Sequence, residues 1–279
     1  MIDMELTIKS TKTLHNGVEM PRFGLGVYKM KEPDEALKAM EAAIGAGYPA
    51  IDTATVYENE REVGEAVRAS GVKRDELFIT SKVWNTDQGY DQTLRAFEAS
   101  LERLGFDYLD LYLTHWAIPE TFVDTYRAIQ RLYDEKLVRS IGVSNHQIHH
   151  LEKIFATANT KPMVNQIELH PQLTQEPLRQ FCEEHNIAIT SWSPLARGRL
   201  LEDPVLAKIA EAHGKSIAQV VIRWHLQSDL IVIPKSVTPS RIIENANVYN
   251  FSLSEEEMKM IDGLNQDWRS GTHPDKISL

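Results

Sequence analysis

Cys182 is the only cysteine in 279 residues, so no disulfide can form within the chain, and a reducing compartment fits. It stands in the helix-like run LRQFCEEH and reads as a small packing residue. Basic side chains are in deficit, 30 against 40 acidic ones, and the formal charge of -10 excludes a molecule-wide footprint for nucleic acid or an anionic membrane. A local basic pocket stays open. Nowhere do about 18 apolar residues run together, which removes a spanning helix. The start, MIDMELTIKS, lacks a positive segment followed by an apolar one, so no export signal is read. A Gly-rich phosphate turn is also missing: the one candidate, FGLGVYKM, lacks the third glycine of a dinucleotide fingerprint. The expectation is a cytoplasmic, soluble protein without nucleic-acid or membrane partners.

What is present is a regular alternation. TLHNGVEMPRF places Asn16-Gly17 between short apolar-polar runs, the signal of a two-residue hairpin. Eight short runs rich in apolar and β-branched residues follow, at 22–27, 49–53, 77–82, 109–115, 138–143, 163–168, 187–192 and 230–234. Between them lie segments with helical spacing such as EPDEALKAMEAAIGAG, with Ala36, Leu37, Met40, Ala43 and Ile44 on one face and Gly47 just past the end. The last interval is longer and holds an extra helix, DPVLAKIAEAHG. Repeated βα units without a linker predict an α/β protein, a (β/α)8 TIM barrel with an N-terminal β-hairpin, forming a single domain over residues 1–279. A doubly wound sheet is the alternative.

In such a barrel, functional groups stand at the carboxyl ends of strands and on the loops beyond. The second, third and fourth strands end at Asp52, Lys82 and His115, and Tyr57 lies on the loop after the first of these. Neighbouring strands run about 4.8 Å apart, so the four converge on one mouth. A phenol is a weak acid, of pKa about 10, and a neighbouring ammonium favours its ionised form. Lys82 is placed to lower the Tyr57 value, Asp52 to keep Lys82 charged and oriented, and a neutral His115 to hydrogen-bond a substrate oxygen. With no Ser or Cys nucleophile and no metal-ligand cluster, the set suits protonation of an oxygen that gains charge, as in carbonyl reduction.

Together, GYPAIDTATVYENE (47–60), ITSKVW (79–84), LDLYLTHW (109–116), IGVSN (141–145), NQIELHP (165–171), SWSPLARG (191–198) and VIPKSVTPSRIIEN (232–245) resemble the aldo-keto reductase family over essentially the whole chain. The likeness is to its short, bacterial-type members, such as diketogluconate and methylglyoxal reductases. The resemblance implies NADPH bound in extended form without a Rossmann fold, with Tyr57 as general acid, Lys82 and Asp52 tuning it, and His115 orienting the carbonyl. It implies that Ser144, Asn145 and Gln166 hold the nicotinamide carboxamide, that Trp192 stacks on the ring, and that Ser193 and Leu195 lie along the cofactor. After strand eight, Lys235, Ser236 and Arg241 match the grip on the adenosine 2'-phosphate, with Glu244 and Asn245 near the adenine. Two cations, a hydroxyl and a helix start favour a phosphate dianion, so NADPH is preferred to NADH. Tyr28, Trp84 and Trp116 are expected to line the substrate pocket.

Each reading has a rival. Asp52 and Lys82 also make a structural ion pair, Tyr57 and His115 also serve as packing residues, and Lys235 with Arg241 also form a solvated face. The run HQIHH (146–150) lacks the Glu of a metalloprotease helix and reads as structural, on a surface helix, with no metal. The chain departs from the family at Pro49, where a local edge distortion is expected. It departs again at Thr114 and Ala117 around the catalytic-type His. The short tail NQDWRSGTHPDKISL leaves an open site for small aldehydes, ketones or keto sugars. The expected assembly is a monomer or weak dimer. The same fold also serves as a cofactor-binding sensor or regulatory module with little turnover, or as a structural protein of the lens type, and the retained phosphate grip speaks against the last.

Overall fold

The computed structural model describes residues 6–278; the first five residues of the segment read for targeting, and Leu279, lie outside it. An antiparallel pair, β1 (Thr11–Thr13) and β2 (Glu19–Pro21), precedes the strands β3 (Leu25–Gly26), β4 (Ala50–Asp52), β5 (Phe78–Val83), β6 (Leu109–Thr114), β7 (Val138–Ser144), β8 (Val164–Glu168), β9 (Ala188–Trp192) and β10 (Ile231–Val232). The helices are α1 (Pro33–Gly45), α2 (Glu60–Ala69), α3 (Tyr90–Leu104), α4 (Phe122–Asp134), α5 (Ile148–Phe155) and α6 (Glu176–Glu184). They continue with α7 (Pro204–His213), α8 (Ile217–Gln227), α9 (Pro239–Ala246) and α10 (Glu255–Asp262).

β3 to β10 form one parallel eight-stranded sheet in sequence order. A parallel bridge between Phe23 and Val232 joins its two ends, with Gly24 N–H donating to Val232 C=O at 3.1 Å and Val232 N–H to Arg22 C=O at 3.0 Å. That is a (β/α)8 barrel. Every predicted strand is present. Both faces of β5 and β6 are buried, as parallel strands roofed by helices require. The extra helix is α7, whose start is capped by the Asp203 carboxylate accepting from Val205 and Leu206 N–H.

Two local expectations change. The hairpin loop spans five residues, 14–18, between the paired Thr13 and Glu19, not two. Asn16 Oδ1 accepts from Val18 N–H at 3.1 Å while its Nδ2 donates to Arg139 C=O at 3.0 Å, and Gly17 takes φ +85. The side chain ties the loop to the barrel, so the turn relaxes from the tight form. Pro49 causes no edge distortion: it lies one residue before β4, and its C=O accepts from Phe78 N–H at 2.9 Å, so the ladder needs no N–H from it.

The hairpin closes the amino end of the barrel. Lys12 and Arg22 both pair with Asp229, just before β10, and His15 reaches Lys161 C=O, before β8. The opposite mouth, at the strands' carboxyl ends, remains for chemistry.

Candidate active site

At that mouth, the β5 strand end carries Lys82, wholly buried, with its ammonium donating to Asp52 Oδ1 at 2.5 Å and to Thr53 C=O at 2.8 Å. Tyr57 Oη lies 3.5 Å from Lys82 Nζ. Tyr57 ends a single turn, Thr55–Tyr57, fastened to β5 by Thr55 Oγ1 donating to Lys82 C=O at 3.1 Å. Asn59 braces the same loop through its side-chain bonds to Val27 and Met30 C=O. The Tyr57 and His115 rings meet edge to face at 5.7 Å, and His115 meets Trp84 at 5.1 Å. Tyr28, half exposed, lies 5.1 Å from the Tyr57 ring. Trp116 makes no ring contact with this group among the described residues; its C=O accepts from Gln88 Nε2 at 2.7 Å.

Electrostatics differ from the sequence expectation at one point. Burial raises the Tyr57 phenol well above its ordinary value, and the Asp52 charge pushes the same way, so Lys82 does not win in the resting site. The phenol therefore keeps its proton, as a donor must. Burial lowers the Lys82 ammonium while Asp52 opposes it. Burial, aided by Lys82, holds His115 well below the ordinary histidine value, so it is a neutral ring at neutral pH.

Across the mouth, β7, β8 and β9 end in a second cluster. Ser144 Oγ donates to Gln166 C=O at 2.8 Å. The Asn145 amide is engaged throughout, donating to His115 C=O and Ser144 Oγ and accepting from Trp192 Nε1 at 2.9 Å. Gln166 Nε2 donates to Asp52 Oδ2 at 2.7 Å, a link between the two clusters that strand-end spacing alone does not reveal. Since a carboxylate only accepts, the Gln166 Oε1 must face away from Asp52. Beyond β9, Ser193, Ala196 and Arg197 all take positive φ around Leu195, an unusual run for residues with a Cβ. Beyond β10, Lys235 and Arg241 are exposed and in no ion pair among the described residues. They flank Ser236 and the start of α9, where no side chain caps the free N–H groups. Glu244 is exposed and Asn245 buried on the same helix.

A profile of the Aldo/keto reductase family matches residues 22–266. The chain belongs to the aldo/keto reductase family. It is 55% identical over 274 residues to a Bacillus subtilis protein named glyoxal reductase, covering 98% of this chain and 99% of that one. It is 54% identical over 268 residues to a Trypanosoma cruzi protein named 9,11-endoperoxide prostaglandin H2 reductase, covering 95% of each. A solved structure of a Gox0644 mutant in complex with NADPH superposes with a TM-score of 0.92 at 44% identity, covering 97% of this chain and 99% of that one.

Along this side of the mouth the polar and aromatic groups fall in one series. A flat indole, an outward amide oxygen, and two cations at an uncapped helix start offer groups of the kind that a flat ring, a carboxamide and a phosphate need. The HQIHH run separates: His146 and His150 are buried and His149 is exposed. His149 Nε2, His150 Nε2 and an Asp275 carboxylate oxygen lie within 4.8 Å of one another. His150 Nδ1 accepts from Gln147 N–H at 3.1 Å, so the neutral ring carries its proton on Nε2 and offers no lone pair there. The cluster fastens the C-terminal tail to α5. One residue that motif reading missed as a functional candidate is Glu168, inside the quoted NQIELHP; only the four hydrogen bonds on its buried carboxylate mark it.

Proposed function

We propose that this chain, acting as one unit over residues 1–279, is an NADPH-dependent reductase of small aldehydes and ketones, with Tyr57 as proton donor. The single observation that carries the reading is the chain from buried Asp52 and Lys82 to half-buried Tyr57, beside neutral His115. The bound cofactor supplies a hydride to the carbonyl carbon. As the carbonyl oxygen gains charge, Tyr57 transfers its proton to it, giving an alcohol and a phenolate that Lys82 stabilises. The ammonium is most useful at that moment, when the phenolate exists. Asp52 keeps Lys82 charged, and His115 hydrogen-bonds the carbonyl oxygen and sets its angle. Solvent then returns the proton to Tyr57.

Ser144, Asn145, Gln166 and Trp192 receive the nicotinamide end, Ser193 and Leu195 flank the middle of the cofactor, and Lys235, Ser236 and Arg241 hold the 2'-phosphate, with Glu244 and Asn245 at the adenine. Tyr28, Trp84 and Trp116 line the carbonyl pocket. The open position of Tyr28 favours short substrates, and the glyoxal reductase relative favours dicarbonyls such as glyoxal and methylglyoxal. The protein works in the cytoplasm as a monomer or weak dimer. Among the described residues no helix is long and apolar enough to cross a membrane.

The test follows NADPH absorbance with a panel of aldehydes, dicarbonyls, keto sugars and an endoperoxide, for the wild type and Tyr57→Phe. Loss of a general acid is expected to slow turnover about 10²- to 10⁴-fold while cofactor affinity stays unchanged. Tight NADPH binding with no turnover on any member of the panel overturns the enzyme reading in favour of a cofactor-sensing module.

A further inference from the structure

Glu168 ends β8 two residues after Gln166, on the same face of the strand, and is 1% exposed. It has no role in the chemistry above, yet its carboxylate accepts four hydrogen bonds. Oε1 takes Ser270 N–H and Ser270 Oγ–H, each at 2.6 Å, and His170 Nε2–H at 3.1 Å, while Oε2 takes Gly271 N–H at 3.1 Å. Three of the four come from the C-terminal tail, more than 100 residues away in sequence. Burial alone would raise this carboxyl, but the bonds from His170, Ser270 and Gly271 outweigh it and hold it below the usual range.

The clamp has a precise target. In the parallel ladder Glu168 is paired with Trp192, and the clamped Gly271 lies against the indole. A Cβ on Gly271 would stand 2.7 Å from Trp192 Cη2 and 3.2 Å from Glu168 Oε2, so only glycine seats the tail this closely. The indole is thereby fixed at both ends, by Asn145 at its Nε1 and by Gly271 at the far rim of its benzo ring. Further bonds fasten the tail nearby, from Gln266 and Trp268 N–H to Gln172 C=O and from Arg269 to Gln175 Oε1.

We propose that Glu168 is a positioning residue: by clamping Ser270 and Gly271 onto the rim of Trp192, it holds the indole in the orientation that the nicotinamide ring must meet. This rests on the reading that Trp192 is the stacking partner of the nicotinamide. The tail thus belongs to the cofactor site as well as to the substrate mouth.

The experiment measures NADPH and NADH affinity by quenching of intrinsic fluorescence, together with hydrogen exchange of residues 266–276 in the cofactor-free protein. The variants are Glu168→Gln, Glu168→Asp, Gly271→Ala and Trp192→Ala. Glu168→Gln leaves an NH2 group facing backbone N–H donors. It is expected to speed tail exchange and to raise both dissociation constants about tenfold, equally for the two cofactors, because the nicotinamide end is common to them. Turnover at saturating cofactor should change far less. Gly271→Ala, which presses chiefly on the indole and leaves the Glu168 carboxylate in place, should weaken both cofactors alike even if Glu168→Gln folds poorly, and Glu168→Asp should restore part of the affinity. If Trp192→Ala weakens both cofactors while Glu168→Gln and Gly271→Ala bind as wild type, the clamp is overturned and the stacking reading survives. If Trp192→Ala itself binds both normally, the stacking reading fails, and the clamp with it.

Discussion

At Tyr57 two effects oppose each other, and their balance depends on depth. An ammonium 3.5 Å away favours the phenolate, whereas burial and Asp52 favour the phenol, and the phenol wins. Residue types at strand ends showed which groups meet, since strand spacing fixes their proximity. They did not show the sign of this balance, which is set by desolvation and has no sequence signal. The Gln166–Asp52 bond and the role of Glu168 were hidden for a related reason: both partners come from distant strands or from the tail, and Glu168 sits inside a motif without chemistry of its own. The proposed phosphate grip is the opposite case, because Lys235, Ser236 and Arg241 are close in sequence and share one helix start. On the proposed reading, Lys235 and Arg241 would each make a charge-assisted contact of about 1.5–3 kcal/mol to the 2'-phosphate. Arg241→Ala is therefore expected to weaken NADPH about 10- to 100-fold in a fluorescence titration and to leave NADH within about twofold. Equal losses for both cofactors would show that Arg241 does not read the phosphate. The contrast with Glu168→Gln, which should weaken both, separates the two ends of the groove.

Elements were legible wherever period and punctuation agreed. The eight strands and the principal helices follow from short β-branched runs, helical spacing and glycine or proline at the ends. Local geometry was less legible where a side chain from elsewhere intervenes, as at Asn16, whose bond to Arg139 lengthens the hairpin loop. Gly64 is a second instance. In sequence it is a weak point inside α2, but a Cβ there would stand 1.9 Å from Leu104 C=O, at the end of α3. The glycine is what lets α2 lie against that helix terminus, where Arg68 Nη1 also donates to Leu104 C=O at 2.8 Å. By helix propensity alone Gly64→Ala would stabilise by about 0.5–1 kcal/mol. The steric contact is with backbone and cannot rotate away, so overpacking of about 1–3 kcal/mol should dominate. The melting temperature is expected to fall by several degrees, at about 2–4 °C per kcal/mol for a chain of this size. An unchanged or higher melting temperature would mean that α2 and α3 separate at little cost.

Over the whole molecule, ten histidines sit in an acidic chain, and the sequence does not say which are buried neutral. The fold decides it. His146, behind β7, and His225, on α8, are fully buried, and desolvation is the main cause that pushes them down to about 3 and about 4. His146 Nε2 has no hydrogen-bond partner among the described residues, and His225 is held by Val221 C=O and lies near Leu169 C=O and Ser191 Oγ. Unfolding returns both to about 6.5, the ordinary value. Above that pH both states are neutral and the histidines contribute no pH dependence. Between about 6.5 and 4 the unfolded chain binds protons that the native one refuses, so stability falls as pH falls. At about pH 5 each contributes a loss on the order of 2 kcal/mol, and Glu168, whose folded value lies below the unfolded one, adds its own loss only at lower pH. Because His115 and His150 are lowered as well, chemical denaturation at several pH values should give a plateau above about pH 7 and a decline towards about pH 5, with a slope approaching about four protons. His225→Asn should flatten that slope by about one proton if it folds, and His146→Asn provides an independent arm. A stability that stays level down to about pH 5 would mean that these rings gain solvent or a partner on protonation, contrary to their position in the barrel wall.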